Sequence, residues 1–123
     1  MQPTITISFK NCPKTDFSVK TYIQLNNVTI DSIIQVVNSN EGKHRIWFYK
    51  KGRGGDIEEV KTKKFIVTYN NNSDTISQVN CSYNERKSSC DGNCLTCTIG
   101  EYSNFTFLYK NKLHTGDTLS INY

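Results

Sequence analysis

Polar and apolar residues alternate along most of this chain, and a period of two is typical of half-buried β-strands. In the first run, Ile5, Ile7 and Phe9 alternate with Thr and Ser residues. Similar runs cover residues 17–25, 28–37, 44–49, 63–69, 75–83, 105–109 and 119–123. Turns rich in Asn, Ser and Gly separate them about every ten residues. The pattern predicts an all-β fold, a two-sheet antiparallel β-sandwich of about seven to nine short strands.

Two segments depart from simple alternation. Residues 44–49 are apolar on both faces at their centre, which predicts a central strand with Trp47 in the core. Residues 56–61 are the one helical candidate, because Asp56 and Glu59 have the spacing of a capping box. An edge strand is the alternative for this second segment.

The length of the chain indicates one domain, residues 1–123. No apolar run approaches the roughly 18 residues of a membrane span, and the first residues printed do not show the apolar run typical of a signal peptide. The opening Met1-Gln2-Pro3 resembles an initiator placed before an excised segment, so we expect a piece of a larger ectodomain or a mature secreted protein. The chain has 14 Asn, 12 Lys and 12 Ile residues but no Ala, which indicates an AT-rich genome.

The five cysteines favour an oxidising compartment and a disulfide-braced loop. They are Cys12, Cys81, Cys90, Cys94 and Cys97. A four-thiolate zinc site or a redox pair would also use the Cys94-x-x-Cys97 spacing. A zinc ribbon needs two such pairs, however, and a redox motif needs a helix after a strand, so disulfides are favoured. We expect a bridge from Cys12 to the later cluster, with the connectivity and the unpaired cysteine left open.

Two further surface features bear on partners. Four N-glycosylation sequons, a slight excess over chance, start at Asn27, Asn71, Asn80 and Asn104. Six basic residues could gather at one hairpin end and bind heparan sulfate, anionic lipid headgroups or an acidic protein patch: Lys50, Lys51, Arg53, Lys61, Lys63 and Lys64. A solvated turn is the plainer interpretation. The net charge of +4 is too low to indicate nucleic-acid binding.

No catalytic motif is visible in the sequence. His44 and His114 each lie at a turn–strand junction without a carboxylate or nucleophile at a telling spacing, so either is most simply a surface residue. The Gly-rich stretch at residues 52–55 is not followed by Gly-Lys-Ser/Thr, which excludes a P-loop. We therefore expect no enzyme, no cofactor and no bound metal.

Three motifs resemble the immunoglobulin superfamily. Residues 46–52 resemble its core-tryptophan strand, residues 100–107 resemble its tyrosine corner, and residues 116–121 resemble its terminal strand. The family's two core cysteines are replaced by Ile33, Ile34 or Val36 and by Asn104. The resemblance thus implies an immunoglobulin-like sandwich without the inter-sheet disulfide. The third domain of class II fusion proteins, including eukaryotic gamete fusogens, is similar.

These observations predict a non-enzymatic recognition or adhesion module at a cell or virion surface that binds a protein or an anionic glycan. Residues 50–55 and 82–98 are the expected binding surfaces. One alternative is a structural immunoglobulin-like domain of a class II membrane (gamete) fusion protein, packed against sibling domains. Another is a secreted viral immune-evasion protein.

Overall fold

A computed structural model describes residues 4–47, 57–89 and 96–123, which form nine strands and one short helix. Their bounds are β1 Thr4–Lys10, β2 Phe17–Leu25, β3 Val28–Val37, β4 Lys43–Trp47, α1 Ile57–Thr62, β5 Lys63–Tyr69, β6 Asn72–Ser89, β7 Thr96–Tyr109, β8 Lys112–Thr115 and β9 Thr118–Asn122. The prediction of an all-β fold with two sheets is therefore confirmed. The helix, Ile57–Thr62, is shifted by one residue from the helical segment predicted at residues 56–61.

The strands form a three-stranded sheet in the order β4-β1-β9 and a six-stranded sheet in the order β3-β2-β5-β6-β7-β8. Every pair in the larger sheet is antiparallel, whereas β1 runs antiparallel to β4 and parallel to β9. Among the described strands, β4 therefore lies at the edge of its sheet, and the prediction of a central strand there was wrong. The parallel pairing with β9 places β1 at the centre instead.

The core lies between the two sheets and follows the alternation of the sequence. Ile5, Ile7 and Phe9 of β1 face Phe65 and Phe107, among others. Because successive side chains of a strand point to opposite faces, β1, β2, β5 and β9 each give every second residue to the core. The buried apolar residues are Ile5, Ile7, Phe9, Phe17, Val19, Ile23, Val37, Ile46, Val60, Phe65, Val67, Tyr69, Ile76, Val79, Phe107, Tyr109, Leu119 and Ile121.

Three two-residue turns connect consecutive strands of the larger sheet, and both residues of each turn have positive φ. The turns are Asn26-Asn27, Asn70-Asn71 and Lys110-Asn111, with φ between 44° and 64°. Positive φ at both positions defines the type I′ turn, whose twist matches that of antiparallel strands. Asparagine adopts this conformation more readily than most residues, so the asparagine-rich turns of the sequence set the register of these hairpins.

Candidate functional site

Strands β6 and β7 continue together well beyond their neighbours. Strand β5 pairs with β6 only as far as Ile76, and β8 pairs with β7 only from Thr106 onward. Past these points, residues 82–89 pair with residues 96–103, from Ser82 opposite Ser103 to Ser89 opposite Thr96. No other described strand pairs with these two segments, which we call the ribbon. At about 3.3 Å per residue, the ribbon is roughly 25 Å long.

The ribbon corresponds to much of the segment predicted as a cysteine-braced loop, residues 82–98. The structure shows paired strands on its two flanks instead of an irregular loop. Cys97 lies on β7 opposite Ser88. Cys90 and Cys94 fall within residues 90–95, outside the described residues. Tyr102, which resembles the tyrosine of a tyrosine corner in the sequence, lies in the interior of β7 rather than near a strand end.

Cys12 is a free thiol, so the predicted bridge from Cys12 to the later cluster is not formed. The thiol donates to the Phe9 carbonyl oxygen at 3.1 Å instead. Cys81 is also free, and it lies at the opposite end of the sandwich, near Lys61 of α1. Strand β5, seven residues long, begins beside α1 at the Cys81 end and finishes at Tyr69, which packs against Phe9 at the Cys12 end. That distance is roughly 20 Å, whereas a disulfide requires Cα atoms within about 7 Å.

One face of the ribbon carries aromatic and charged side chains together. Tyr83 pairs with Tyr102, and two residues further along the strand Glu85 pairs with Gly100. The next pair on the same face brings in Lys87. Because side chains two apart in a strand share a face, these residues form one continuous surface. Tyr83, Glu85 and Lys87 are all exposed.

Tyr83 is held in a defined position on this surface. Its hydroxyl donates to Glu85 Oε1 at 3.0 Å, and its ring packs against that of Tyr102 with 4.8 Å between centroids. The ring also covers Gly100: a Cβ atom there would lie 2.3 Å from the Tyr83 hydroxyl oxygen. The hydrogen bond to Glu85 raises the pKa of the Tyr83 hydroxyl above its usual value.

An open depression of about 500 Å³ lies beside Tyr102 at the base of the ribbon. The turn between β8 and β9 closes its far side, where the Gly116 N–H donates to the Phe105 carbonyl oxygen at 2.7 Å. Its lining residues are Tyr102, Ser103, Asn104, Phe105, Thr106, Thr115, Gly116 and Asp117. The tyrosine pair and this depression together offer an aromatic contact surface next to a concave one.

Three of the six basic residues predicted to bind a partner are described. Lys61 lies in the last turn of α1, and Lys63 and Lys64 begin β5 directly after the helix. Lys64 Nζ donates to Asn27 Oδ1 at 3.4 Å. Lys61 lies close enough to Cys81 for its charge to act on the pKa of that thiol, although burial raises the pKa overall. Lys50, Lys51 and Arg53 lie outside the described residues.

The asparagines of the four sequons are all exposed. Asn27 and Asn71 occupy the hairpin turns described above, whereas Asn80 and Asn104 lie on β6 and β7. Asn104 also has positive φ, 54°, within its strand. Exposure makes each side chain accessible to modification.

His44 is not the surface residue that its position near a turn predicted. It is 1% exposed and lies between the sheets, with Nε2 at 2.9 Å from Thr21 Oγ1 and Nδ1 at 2.6 Å from Gln35 Oε1. Burial lowers the pKa of His44 from 6.5 to about 4. The sequence contained the signal, since His44 is two residues from Ile46 and shares its inward face. His114 is half-buried and stacks on Phe107.

Among the described residues, no group of three or more His, Cys, Asp or Glu side chains is arranged to hold a metal ion. No helix in the described ranges is long and apolar enough to cross a membrane. The chain matches no protein-family model, and comparisons with curated proteins and with solved structures find no match.

Proposed function

We propose that the chain is a non-enzymatic, immunoglobulin-like recognition module that binds a protein partner outside the cell through the aromatic face of the ribbon. The observation that carries this proposal is the Tyr83–Tyr102 pair, held by Glu85 and by close contact with Gly100 on strands that continue past β5 and β8. The depression beside Tyr102 adds a concave site for a side chain of the partner.

Tyrosine suits this role for a physical reason. Its ring provides a large contact area with only two side-chain torsions to restrict, and its hydroxyl still forms hydrogen bonds. Residues 82–89 and 96–103 are rich in Ser and also contain Tyr, Asn and Gly, a composition typical of antibody contact loops. Because Tyr83 is already ordered in the free chain, binding loses less conformational entropy there.

The extracellular setting is part of the proposal and rests on the four sequons, whose asparagines are all exposed, and on the clustering of four cysteines within residues 81–97. The two-sheet sandwich and the short terminal strand β9 support the immunoglobulin-like assignment. The position of Tyr102 within β7 departs from the family pattern. Lys61, Lys63 and Lys64, at the α1–β5 junction near the ribbon base, would favour an acidic partner.

A binding screen with tyrosine variants tests this proposal. The full chain, tetramerised to raise avidity, is applied to a panel of displayed extracellular proteins and to heparin. We expect a protein to be bound and Tyr83→Ser/Tyr102→Ser to weaken binding at least tenfold, because central aromatic residues dominate interface energies. Leu113→Ser is the matched control, since Leu113 is 67% exposed on β8, away from the ribbon.

Two results would overturn the ribbon assignment. One is equal affinity of the tyrosine double variant and the wild-type chain for the same partner. The other is binding to heparin alone that responds to Lys61→Glu/Lys64→Glu and is unchanged by the tyrosine substitutions. Circular dichroism of each variant confirms that the sandwich is intact before binding is compared.

A further inference from the structure

The depression beside Tyr102 contains one ionic side chain among the described residues, that of Asp117. The rest of its lining consists of hydroxyl, amide and aromatic side chains and of Gly116. No described lysine, arginine or histidine contributes to it. A binding site with a carboxylate and no compensating cation is complementary to a positively charged group. The charge of the depression therefore indicates the chemistry of the side chain that fits it.

Backbone hydrogen bonds to both sheets hold the turn that carries Asp117. The Gly116 N–H donates to the Phe105 carbonyl oxygen of β7 at 2.7 Å, and the Asp117 carbonyl oxygen accepts the Thr6 N–H of β1 at 2.8 Å. Gly116 has a φ of 101°, a conformation that residues with a side chain rarely adopt. Because the turn is already fixed in this way, a ligand that meets Asp117 loses little affinity to the ordering of the backbone.

The Asp117 carboxylate keeps most of its capacity to accept hydrogen bonds. It is exposed, and the Thr118 hydroxyl donates to its Oδ1 at 3.3 Å, which is longer than a typical O–H···O bond. No other described side chain bonds to the carboxylate or forms an ion pair with it. Because an ionised carboxylate accepts about four hydrogen bonds, the donors of a ligand have room at both oxygens.

We propose that this depression receives a basic side chain of the protein partner, with arginine favoured over lysine, and that Asp117 selects for it. This inference rests on the proposed function, because the depression adjoins the Tyr83–Tyr102 pair. The carboxylate repels an acidic side chain, and an apolar one would displace its water without replacing the hydrogen bonds. A planar guanidinium donates to both carboxylate oxygens, and Tyr102 provides an aromatic ring for the cation.

The basic residues of the α1–β5 junction lie well away from this depression. Lys63 and Lys64 begin β5, whereas Asp117 follows β8, and β6 and β7 lie between these two strands. Three strand intervals give a separation of roughly 14 Å across the sheet. Because charges on the surface are screened beyond about 8 Å, the two flanks act separately on a partner. A partner with an acidic patch toward β5 and a basic side chain toward β8 therefore has one favourable orientation.

An NMR titration of the full chain with acetyl-arginine amide tests the depression in the absence of a protein partner. With the probe at up to about 50 mM, we expect shifts of the amide signals of residues 102–106 and 115–117. Asp117→Asn should weaken binding about fivefold, the upper end for an exposed ion pair. Glu41→Gln is the matched control, since Glu41 is an exposed carboxylate in the turn before β4 and does not line the depression.

A neutral probe of the same shape separates charge from fit. Acetyl-citrulline amide should bind the wild-type chain about fivefold more weakly than the arginine probe, and Asp117→Asn should bind the two probes equally. Equal binding of both probes to the wild-type chain would overturn the proposal. So would an Asp117→Asn variant that binds the arginine probe as the wild-type chain does, or shifts around Glu41 as large as those in the depression.

The proposed function and the arginine site fail in different ways. An arginine probe bound in the depression of a chain that captures no displayed protein would remove the proposed function and leave the Asp117 site. A protein partner whose affinity falls in Tyr83→Ser/Tyr102→Ser but is unchanged in Asp117→Asn would overturn the arginine site and leave the ribbon assignment.

Discussion

His44 connects the two sheets through hydrogen bonds inside the core. Its Nδ1 lies 2.6 Å from Gln35 Oε1, which accepts from it, while the Thr21 hydroxyl, 2.9 Å from Nε2, donates to the ring. This arrangement satisfies the neutral imidazole completely. Thr21 and His44 are each 1% exposed, so a charged ring would be buried with no solvent around it. Alternation places the residue at an inward position, but the sequence does not show which groups on other strands meet it.

Acid should destabilise the fold through this residue. Burial lowers the pKa of His44 from 6.5 to about 4, so the folded state binds the proton less readily than the unfolded state. The contribution of the neutral His44 ring to the free energy of unfolding is fully present above pH 6.5 and is lost as the pH falls toward 4. The free energy of unfolding should fall by roughly 3 kcal/mol from this residue alone. Urea denaturation at about pH 7, 5 and 4 measures the change.

His44→Gln is the control for the acid effect, since other groups also titrate over this range. The variant should be less stable than the wild-type chain at pH 7, and the difference between the two should shrink as the pH falls. A difference that stays constant from pH 7 to pH 4 would show that the imidazole proton does not contribute.

At the scale of the elements, the ribbon is the feature that the sequence predicted least well. Residues 75–83 and 105–109 were predicted as strands from their alternation, whereas residues 84–89 and 96–104 lack a regular apolar pattern. On the β6 side of the ribbon, residues 82–85 and 87 are all exposed, so this stretch lacks the alternation of buried and exposed residues by which the other strands were predicted. The ribbon strands are held by backbone hydrogen bonds and cross-strand pairs, which a single-strand pattern does not reveal.

Gly100 controls the position of Tyr83 on the ribbon. In Gly100→Ala, the added Cβ would lie 2.3 Å from the Tyr83 hydroxyl oxygen, so the ring must leave Tyr102 and Glu85. The φ of Gly100 does not lie in the left-handed region, so alanine fits the strand backbone and should stabilise it slightly, by about 0.5 kcal/mol. Because the lost ring packing offsets this gain, we expect nearly unchanged thermal stability but lost NMR contacts between the Tyr83 and Tyr102 rings. Ring contacts that survive the substitution would contradict this role of Gly100.

For the whole molecule, alternation predicted the class, the sheet number and most of the core. It identified Ile5, Ile7 and Phe9 as one face and Phe65 with Val67 as another, and all five are buried. The order of strands could not be obtained in the same way. The parallel pairing of β1 with β9 joins residues more than a hundred positions apart, and it depends on contacts that no local pattern contains. The edge position of β4 follows from that pairing.

The same pairing explains how the start of the chain is held without a disulfide at Cys12. Strand β1 is hydrogen-bonded on both sides, by β4 and β9, and Ile7 is fully buried at its centre. Cys12→Ser should therefore cost less than about 1 kcal/mol, because the serine hydroxyl can donate to the Phe9 carbonyl as the thiol does. Loss of a native disulfide would instead cost about 2–5 kcal/mol. Ile7→Ala should cost about 2–5 kcal/mol through the cavity it leaves. Urea denaturation measures the loss in free energy of unfolding for each variant. If Cys12→Ser loses as much as Ile7→Ala, the thiol, rather than strand pairing and packing, secures β1.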